Sequence, residues 1–271
     1  MSSIMEWNVD PILFSIGGFQ LRYYSLLFII GFILGYRVIV AMMKAEKQPV
    51  EWADKMFVYA AVATIIGARL GHCIFYDWAY YGNHIGEIFL PFHNGKFTGF
   101  AGLASHGAAI GLIIAMYLYS KRITHKGFFW GLDRLVVAVA IAGVCIRLGN
   151  LMNSEIVGAV TDVPWGFHFT RVDGDNSILR HPAQLYEAFS YLVIFGILMY
   201  MYWKKDAGSK PGLLFGSMIF MVFLARFIIE FVKEVQEPWE QGMALNMGQL
   251  LSIPFVLIGA YFIYRALRVR S

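Results

Sequence analysis

The stretch Phe-Phe-Trp-Gly-Leu-Asp-Arg-Leu-Val-Val-Ala-Val-Ala-Ile-Ala-Gly-Val-Cys-Ile-Arg-Leu-Gly-Asn-Leu-Met-Asn-Ser-Glu-Ile-Val-Gly, residues 128–158, decides how this chain is read. Residues 128–149 are largely apolar, and a helix of about 20 such residues crosses the hydrocarbon of a bilayer. The composition then turns polar within a few positions, at Arg147, Asn150, Asn153 and Glu155. An arginine at the edge of hydrocarbon is costly to hold there, so it calls for an anionic partner or a task. Arg147 and Asn150 are three apart, which puts both on one face of a helix that persists that far. A guanidinium and amides on one face form a donor-rich pocket suited to a phosphate or a carboxylate.

The rest of the chain repeats the first half of that pattern. Of 271 residues 58% are hydrophobic and 15% charged, with a mean hydropathy of +0.59, whereas soluble domains carry roughly a quarter charged residues. Apolar runs recur at 23–43, 57–76, 101–119, 128–149, 183–203, 211–231 and from 247 to 264. The expectation is an all-α integral membrane protein with seven transmembrane helices, residues 1–271 forming a single polytopic domain. Ten-residue alternating strands are absent, which argues against an outer-membrane barrel. Residues 1–22 read as an interfacial lead-in with Trp7, Pro11 and Gly17-Gly18. That lead-in has no basic n-region, and no A-x-A-like site follows the first apolar run, so no cleavable signal peptide is expected. Cys73 and Cys145 both fall inside apolar runs and are read as packing residues.

Orientation follows from lysine and arginine. The loops after spans one, three and five and the C-terminal tail hold twelve of them, from Lys44 to Arg270. The opposite loops and the lead-in hold five: Arg22, Lys96, Arg171, Arg180 and Lys233. The positive-inside rule puts the C-terminus in the cytoplasm and the N-terminus outside. Residues 150–182 then form a small extracytoplasmic head. Within it, the partial alternation of 166–172 and the turn pair Asp173-Gly174 predict a hairpin. Asp173, Asp175 and Asn176 lack the remaining ligands of a calcium loop and are read as a turn. Gly-x-x-x-Gly pairs at Gly31/Gly35, Gly67/Gly71, Gly107/Gly111 and Gly212/Gly216 are read as close helix contacts.

Five arginines stand outside the loops. Arg37 and Arg134 lie near cytoplasmic ends, where long side chains can snorkel. Arg69, Arg147 and Arg226 sit in the outer third of spans two, four and six, on the side that the positive-inside rule disfavours. An anionic ligand would explain them, although Arg226 also has Glu230 four residues on as a salt-bridge partner. His106, near the outer end of span three, belongs to the same layer and is expected to face inward, as membrane histidines tend to. Ser105 cannot pair with it as nucleophile and base, because helix neighbours point about 100° apart. Tyr24 and the segment 181–187 open spans one and five in that layer. Such convergence suggests a lipid-headgroup site. His106, His168, His181 and Glu155 could ligate a metal, but no pair has a recognised ligand spacing, so no metal is assigned.

These residues resemble those of the bacterial prolipoprotein diacylglyceryl transferases. The family signature Gly-Arg-x-Gly-Asn-Phe-x-Asn-x-Glu-x-x-Gly is met at residues 146–158, with Ile146 replacing glycine and Leu151 replacing phenylalanine. His-Gly-Gly-x-Ile-Gly is met at 106–111, with Ala108 departing. Arg22-Tyr-Tyr24, His181-Pro-Ala-Gln-Leu-Tyr-Glu187, Arg226-Phe-Ile-Ile-Glu230 and Leu245-Asn-Met-Gly-Gln249 follow in the family's order. The departures replace small or apolar groups and leave every polar position filled.

The resemblance implies transfer of the diacylglyceryl group from phosphatidylglycerol to the lipobox cysteine of a prolipoprotein signal peptide, giving a thioether and glycerol phosphate. It implies a multi-pass protein of the bacterial inner membrane with its active site facing the outer leaflet, in contact with membrane lipid. Arg147 and Arg226 would hold the phosphate, and Asn150, Glu155 and Gly158 would shape the headgroup pocket. Glu230 would orient Arg226, Tyr24 would position lipid or peptide, and His106 would assist thiol deprotonation. An arginine-polarised thiolate would serve as well. No soluble cofactor and no nucleic-acid partner are implied. The rival class is a transporter or flippase for an anionic lipid or solute, which would bind through the same arginines without making bonds. Transporter sites usually lie near the midplane between internal repeats, and this layer lies near one surface.

Overall fold

A computed structural model of the protein describes residues 5–17, 19–90, 92–93, 96–97, 102–234 and 242–268, with only the backbone of 19, 92, 93, 96 and 97. Arg270, counted above with the tail, and the opening residue of the third expected span, 101, lie outside them.

The lead-in is β-structure. Strand β1 (Met5–Trp7) is followed by β2 (Ile12–Ile16) and β3 (Phe19–Arg22), an antiparallel hairpin. Gly17 turns it at φ 54°, a region open to glycine without penalty. Phe14 and Ile16 are 45% and 71% exposed, so the hairpin carries an apolar surface of the kind an interface accepts. Helix α1 (Tyr23–Ala45) starts at the next residue, and α2 (Glu51–Phe75) follows a short turn. Two brief helices, α3 (Trp78–Tyr81) and α4 (Ile85–Phe89), lead through the short antiparallel strands β4 (Phe92–His93) and β5 (Lys96–Phe97) towards α5 (Ser105–Tyr119). Then come α6 (Phe128–Met152), β6 (Phe167–Phe169), α7 (Thr170–Asp173), α8 (Ala183–Lys205), α9 (Leu213–Ile229) and α10 (Met247–Arg268).

Among the described residues six helices are long and apolar enough to cross a membrane: α1, α2, α6, α8, α9 with its 3-10 extension to Val232, and α10. The chain is an integral membrane protein. The third expected span is the 15-residue α5, continued by a π-helical turn, Ser120–Thr124. That turn ends at His125 with φ 52°, and the Ser120 hydroxyl donates to the Lys126 carbonyl.

The chain divides into two compact units, Val40–Leu132 and the pair of segments Met1–Ile39 and Asp133–Ser271. In the first, α2 and α5 approach through Gly67, Gly71, Gly107 and Gly111. A Cβ on Gly71 would lie 2.7 Å from the Gly107 Cα, and one on Gly67 would lie 3.2 Å from the Gly111 Cα. Cys73, Tyr81 and Ile88 form a small core that folds α3 and α4 back on α2.

In the other unit, α1 lies against α6, where a Cβ on Gly31 would lie 3.2 Å from Ala142 and Cys145 and one on Gly35 would lie 3.2 Å from Ala138. Helices α9 and α10 meet at Gly216 and Gly259, where a Cβ on Gly259 would reach the Phe220 nitrogen at 2.5 Å. Gly212 departs from the packing expectation: it caps α9 at φ 89°. The α9 N-terminus is pinned by the fully buried Asp133, whose oxygens accept from the Gly212 and Phe215 N–H groups at 2.7 and 2.8 Å. A carboxylate there satisfies orphan donors and the helix dipole together. Arg134 does not snorkel: it is 2% exposed and donates to the Gly208 carbonyl at 3.1 Å.

Of the hairpin expected at 166–172 a single antiparallel bridge forms, in which Phe167 and Arg180 exchange N–H···O=C bonds of 2.9 and 2.8 Å. Residues 167–169 pair in parallel with β1, and Thr170–Asp173 winds into α7. Alternation signals a half-buried strand but not its partner. The parallel partner, β1, is 162 residues away in sequence and is locked by Trp7, which stacks on Phe167 at 5.6 Å and donates to the Leu151 carbonyl at 3.0 Å.

Candidate functional site

Helix α6 persists to Met152, so Arg147 and Asn150 do share a face, with Nη1 3.4 Å from the Asn150 Oδ1. Past the helix end the backbone turns sharply. Ser154 and Ile156 adopt φ of 54° and 59°, a left-handed conformation that is uncommon for any side chain and an outlier for a β-branched one. The turn brings the exposed Glu155 carboxylate back onto the helix end. Its two oxygens accept from the Asn150 and Asn153 amides, each at 3.1 Å. Gln184 of α8 holds the same turn by donating to the Glu155 carbonyl at 2.6 Å. Strain of about 1–3 kcal/mol per residue is thus offset by three amide contacts to Glu155.

Helix α8 supplies the counter-charge. Its buried stripe Gln184, Glu187, Tyr191, Ile194 and Leu198 has helical spacing, so one face meets the protein along its length. Gly143 leaves room for Tyr191, whose ring a Cβ would meet at 2.9 Å. One turn on, the Arg147 Nε lies 2.9 Å from the Glu187 Oε2, and its guanidinium carbon is 5.9 Å from the centre of the Tyr191 ring. Glu187 is 1% exposed, and neither of its oxygens sits along an N–H direction, so the contact is an ion pair without a hydrogen bond. On its other side lies the Lys233 Nζ, 3.6 Å from Oε1.

Lys233 in turn approaches the Glu230 carboxylate at 3.2 Å. The sequence expectation of an Arg226–Glu230 bridge is therefore overturned. Glu230 leaves the α-helix in a 3-10 turn, which swings its side chain to Lys233. Arg226, half-buried in the last turn of α9, forms no ion pair among the described residues. Glu230 is further fitted by α10: a Cβ on Gly248 would strike its carboxylate at 2.5–2.8 Å. Asn246 and Gln249 cap α10 reciprocally, at 3.1 and 2.9 Å, and bond back to the carbonyls of Glu230 and Phe227.

Tyr24, in the first turn of α1, packs on Gly149, where a Cβ would lie 2.8 Å from its ring. Gly158 works through its backbone. Its N–H donates to the His181 carbonyl, and it bridges Lys233, and a Cβ would fall 2.5 Å from His181 and 2.7 Å from the Val232 carbonyl. This crossing fixes where Lys233 begins. Beside it Arg180, 8% exposed, grips both Asp173 oxygens at 2.7 Å and reaches Glu234 at 3.0 Å. The Asp173 bond, ahead of the Glu234 contact, raises its pKa above the ordinary arginine value although burial opposes this.

In Val40–Leu132, His106 stands exposed on the first turn of α5, flanked by the Phe75 and Tyr76 rings at 5.3 and 5.5 Å. Arg69 is 5% exposed and occupied with its own unit. It donates to the carbonyls of Ile88 and Glu87 at 3.1 and 2.8 Å and to the Tyr81 hydroxyl at 3.3 Å, anchoring α4 to α2.

The structure thus gathers Arg147, Asn150, Glu155, Tyr24 and Glu230 in one unit, and adds Glu187, Lys233 and Gln184. Sequence reading counted Lys233 as a loop residue and took Glu187 only as part of a motif. An acidic residue five positions into an apolar run was the available signal for Glu187.

Six long apolar helices among the described residues, and a chain of alternating charges running Arg147–Glu187–Lys233–Glu230, define a polytopic membrane protein. Comparison with known proteins narrows this class. The family model for prolipoprotein diacylglyceryl transferase matches residues 11–265. A phosphatidylglycerol–prolipoprotein diacylglyceryl transferase of Porphyromonas gingivalis is 46% identical over 280 residues, covering 99% of this chain and 96% of that protein. Proteins of the same name from Bacteroides fragilis and Chloroherpeton thalassium are 46% and 42% identical, covering 96% and 98% of this chain and 94% and 96% of theirs. The chain belongs to the prolipoprotein diacylglyceryl transferase family.

Proposed function

We propose that this protein transfers the diacylglyceryl group of phosphatidylglycerol to the thiol of a prolipoprotein's lipobox cysteine. The carrying observation is the half-buried Arg147, oriented by Glu187 and Asn150 and lying beside the Glu155 loop. A guanidinium in water-poor surroundings stabilises a phosphate most as it leaves, because the field is fixed in advance and weakly screened. In the reaction the cysteine sulfur attacks the carbon of the diacylated glycerol that carries the phosphate ester. The carbon–oxygen bond breaks, a thioether forms, and glycerol phosphate departs with the electron pair. The thiol proton passes to a base.

In this reading Arg147 and Arg226 bind the phosphate, and Asn150 and Glu155 bind the glycerol hydroxyls of the headgroup. Gly158 shapes the pocket through the Lys233 crossing. Glu230 acts on charge balance through Lys233, and Tyr24 positions substrate. His106, in the unit Val40–Leu132, takes the thiol proton. The chain forms one membrane domain, in which α5 with its π-turn is the seventh span and 150–182 is a head facing the outer leaflet of the inner membrane. The lysine and arginine asymmetry supports a cytoplasmic C-terminus.

The test uses purified protein, labelled phosphatidylglycerol and a peptide with a lipobox cysteine, followed by mass. A diacylglyceryl-sized gain on the cysteine peptide, and none on its Cys→Ser counterpart, is expected. Specific lipid binding without that gain would overturn the proposal. Arg147→Ala should insert normally and lose transfer.

A further inference from the structure

The unit Val40–Leu132 carries a cavity that the reaction above does not use. A groove of about 760 Å³ runs between α2 and α5, floored by Gly67, Gly71, Gly107 and Gly111 and walled by aliphatic side chains such as Val62, Ile66 and Ile110. The floor is low because the four glycines contribute no side chain. Along α2 it extends from Val58 to Phe75, about 26 Å at 1.5 Å per residue, close to the roughly 30 Å depth of bilayer hydrocarbon. Such a lining offers no partner for peptide N–H and C=O groups, so a polypeptide segment would leave them unsatisfied. An acyl chain has no such groups.

The groove ends on a charge. Arg122, exposed in the π-helical turn after α5, lines it and forms no ion pair among the described residues. Lys121, His125 and Lys126 line a second cavity of about 360 Å³ around the same turn. Of the acidic residues nearby in the unit, Glu51 and Asp54 occupy the first turn of α2, where they complement its dipole, and Glu46 accepts from the Trp130 indole at 3.1 Å, leaving Arg122 as the charge on the groove itself. A guanidinium at the end of an apolar groove matches an anionic phosphate attached to hydrocarbon. We propose that this groove binds an anionic phospholipid, with one acyl chain between α2 and α5 and its phosphate on Arg122, as a site separate from the Arg147 cluster.

The test employs phosphatidylserine with a photoreactive group in its acyl chain, which is not the proposed donor, in phosphatidylcholine vesicles holding the full chain. A phosphatidylcholine probe with the same photoreactive chain is the control, and labelled peptides are mapped. Residues 58–75 and 107–118 should be labelled several-fold more by the phosphatidylserine probe. Arg122→Gln should reduce that labelling to the control level, and Val62→Trp, which fills the groove, should reduce labelling by both probes. Equal labelling by the two probes in the unaltered protein, or phosphatidylserine labelling indifferent to Arg122→Gln, would overturn the proposal.

Discussion

Glu187 is the residue whose removal should be felt most. It lies between Arg147 and Lys233, almost without exposure, and a buried charge that loses its partner costs about 3–5 kcal/mol. Glu187→Ala should lower the thermal unfolding temperature in detergent by several degrees, and Glu187→Gln by less, because the amide still fills the space. Arg147→Lys should retain the ion pair and the fold but lose most transfer, since an ammonium cannot offer a planar fork to two phosphate oxygens. The mass assay on the cysteine peptide checks this, with unfolding as control. Arg147, Asn150, Asn153 and Glu155 were legible in the sequence because they fall within nine residues, where helix geometry alone decides what is adjacent. The Arg226–Glu230 bridge was misread for the same reason. Helical spacing was assumed through Glu230, whereas the helix tightens there and Lys233 takes the carboxylate.

At the scale of elements, α9 is fixed at both ends by residues from other helices. Asp133 holds its start, and the Asn246–Gln249 cap of α10 holds its end, around Phe227 and Glu230. Asn246→Ala should cost about 1 kcal/mol, the usual loss of an N-cap, visible as a lower unfolding midpoint. Gly248→Ala should act more sharply on activity than on insertion, because its Cβ meets the Glu230 carboxylate and would turn it from Lys233. Transfer rates against the amount of inserted protein would show the split. Gly-x-x-x-Gly spacing gave the α2/α5 and α1/α6 contacts correctly, since a small-residue face permits close approach whichever helix is opposite. It misjudged Gly212, where the positive φ of a cap is what requires glycine.

For the whole molecule, the test is topology. A cysteine placed at the exposed Asp175 should react in intact cells with a reagent that does not cross the inner membrane. A fluorescent protein fused after the C-terminus should mature in the cytoplasm. Protection of the residue-175 thiol would reverse the orientation drawn from lysine and arginine. Membrane insertion itself was determined by the sequence, because the transfer free energy of an apolar run is a sum over its own residues and needs no knowledge of neighbours. The polar signature at 147–158 was likewise a local fact. Only the tertiary structure decided which charges answer one another. Arg147 meets Glu187 across 40 positions and Glu187 meets Lys233 across 46, Arg134 and Arg69 are spent on carbonyls, and the strand at 167–169 joins the N-terminal segment. Charge pairing in a dry interior depends on distance through space, and helix packing sets that distance.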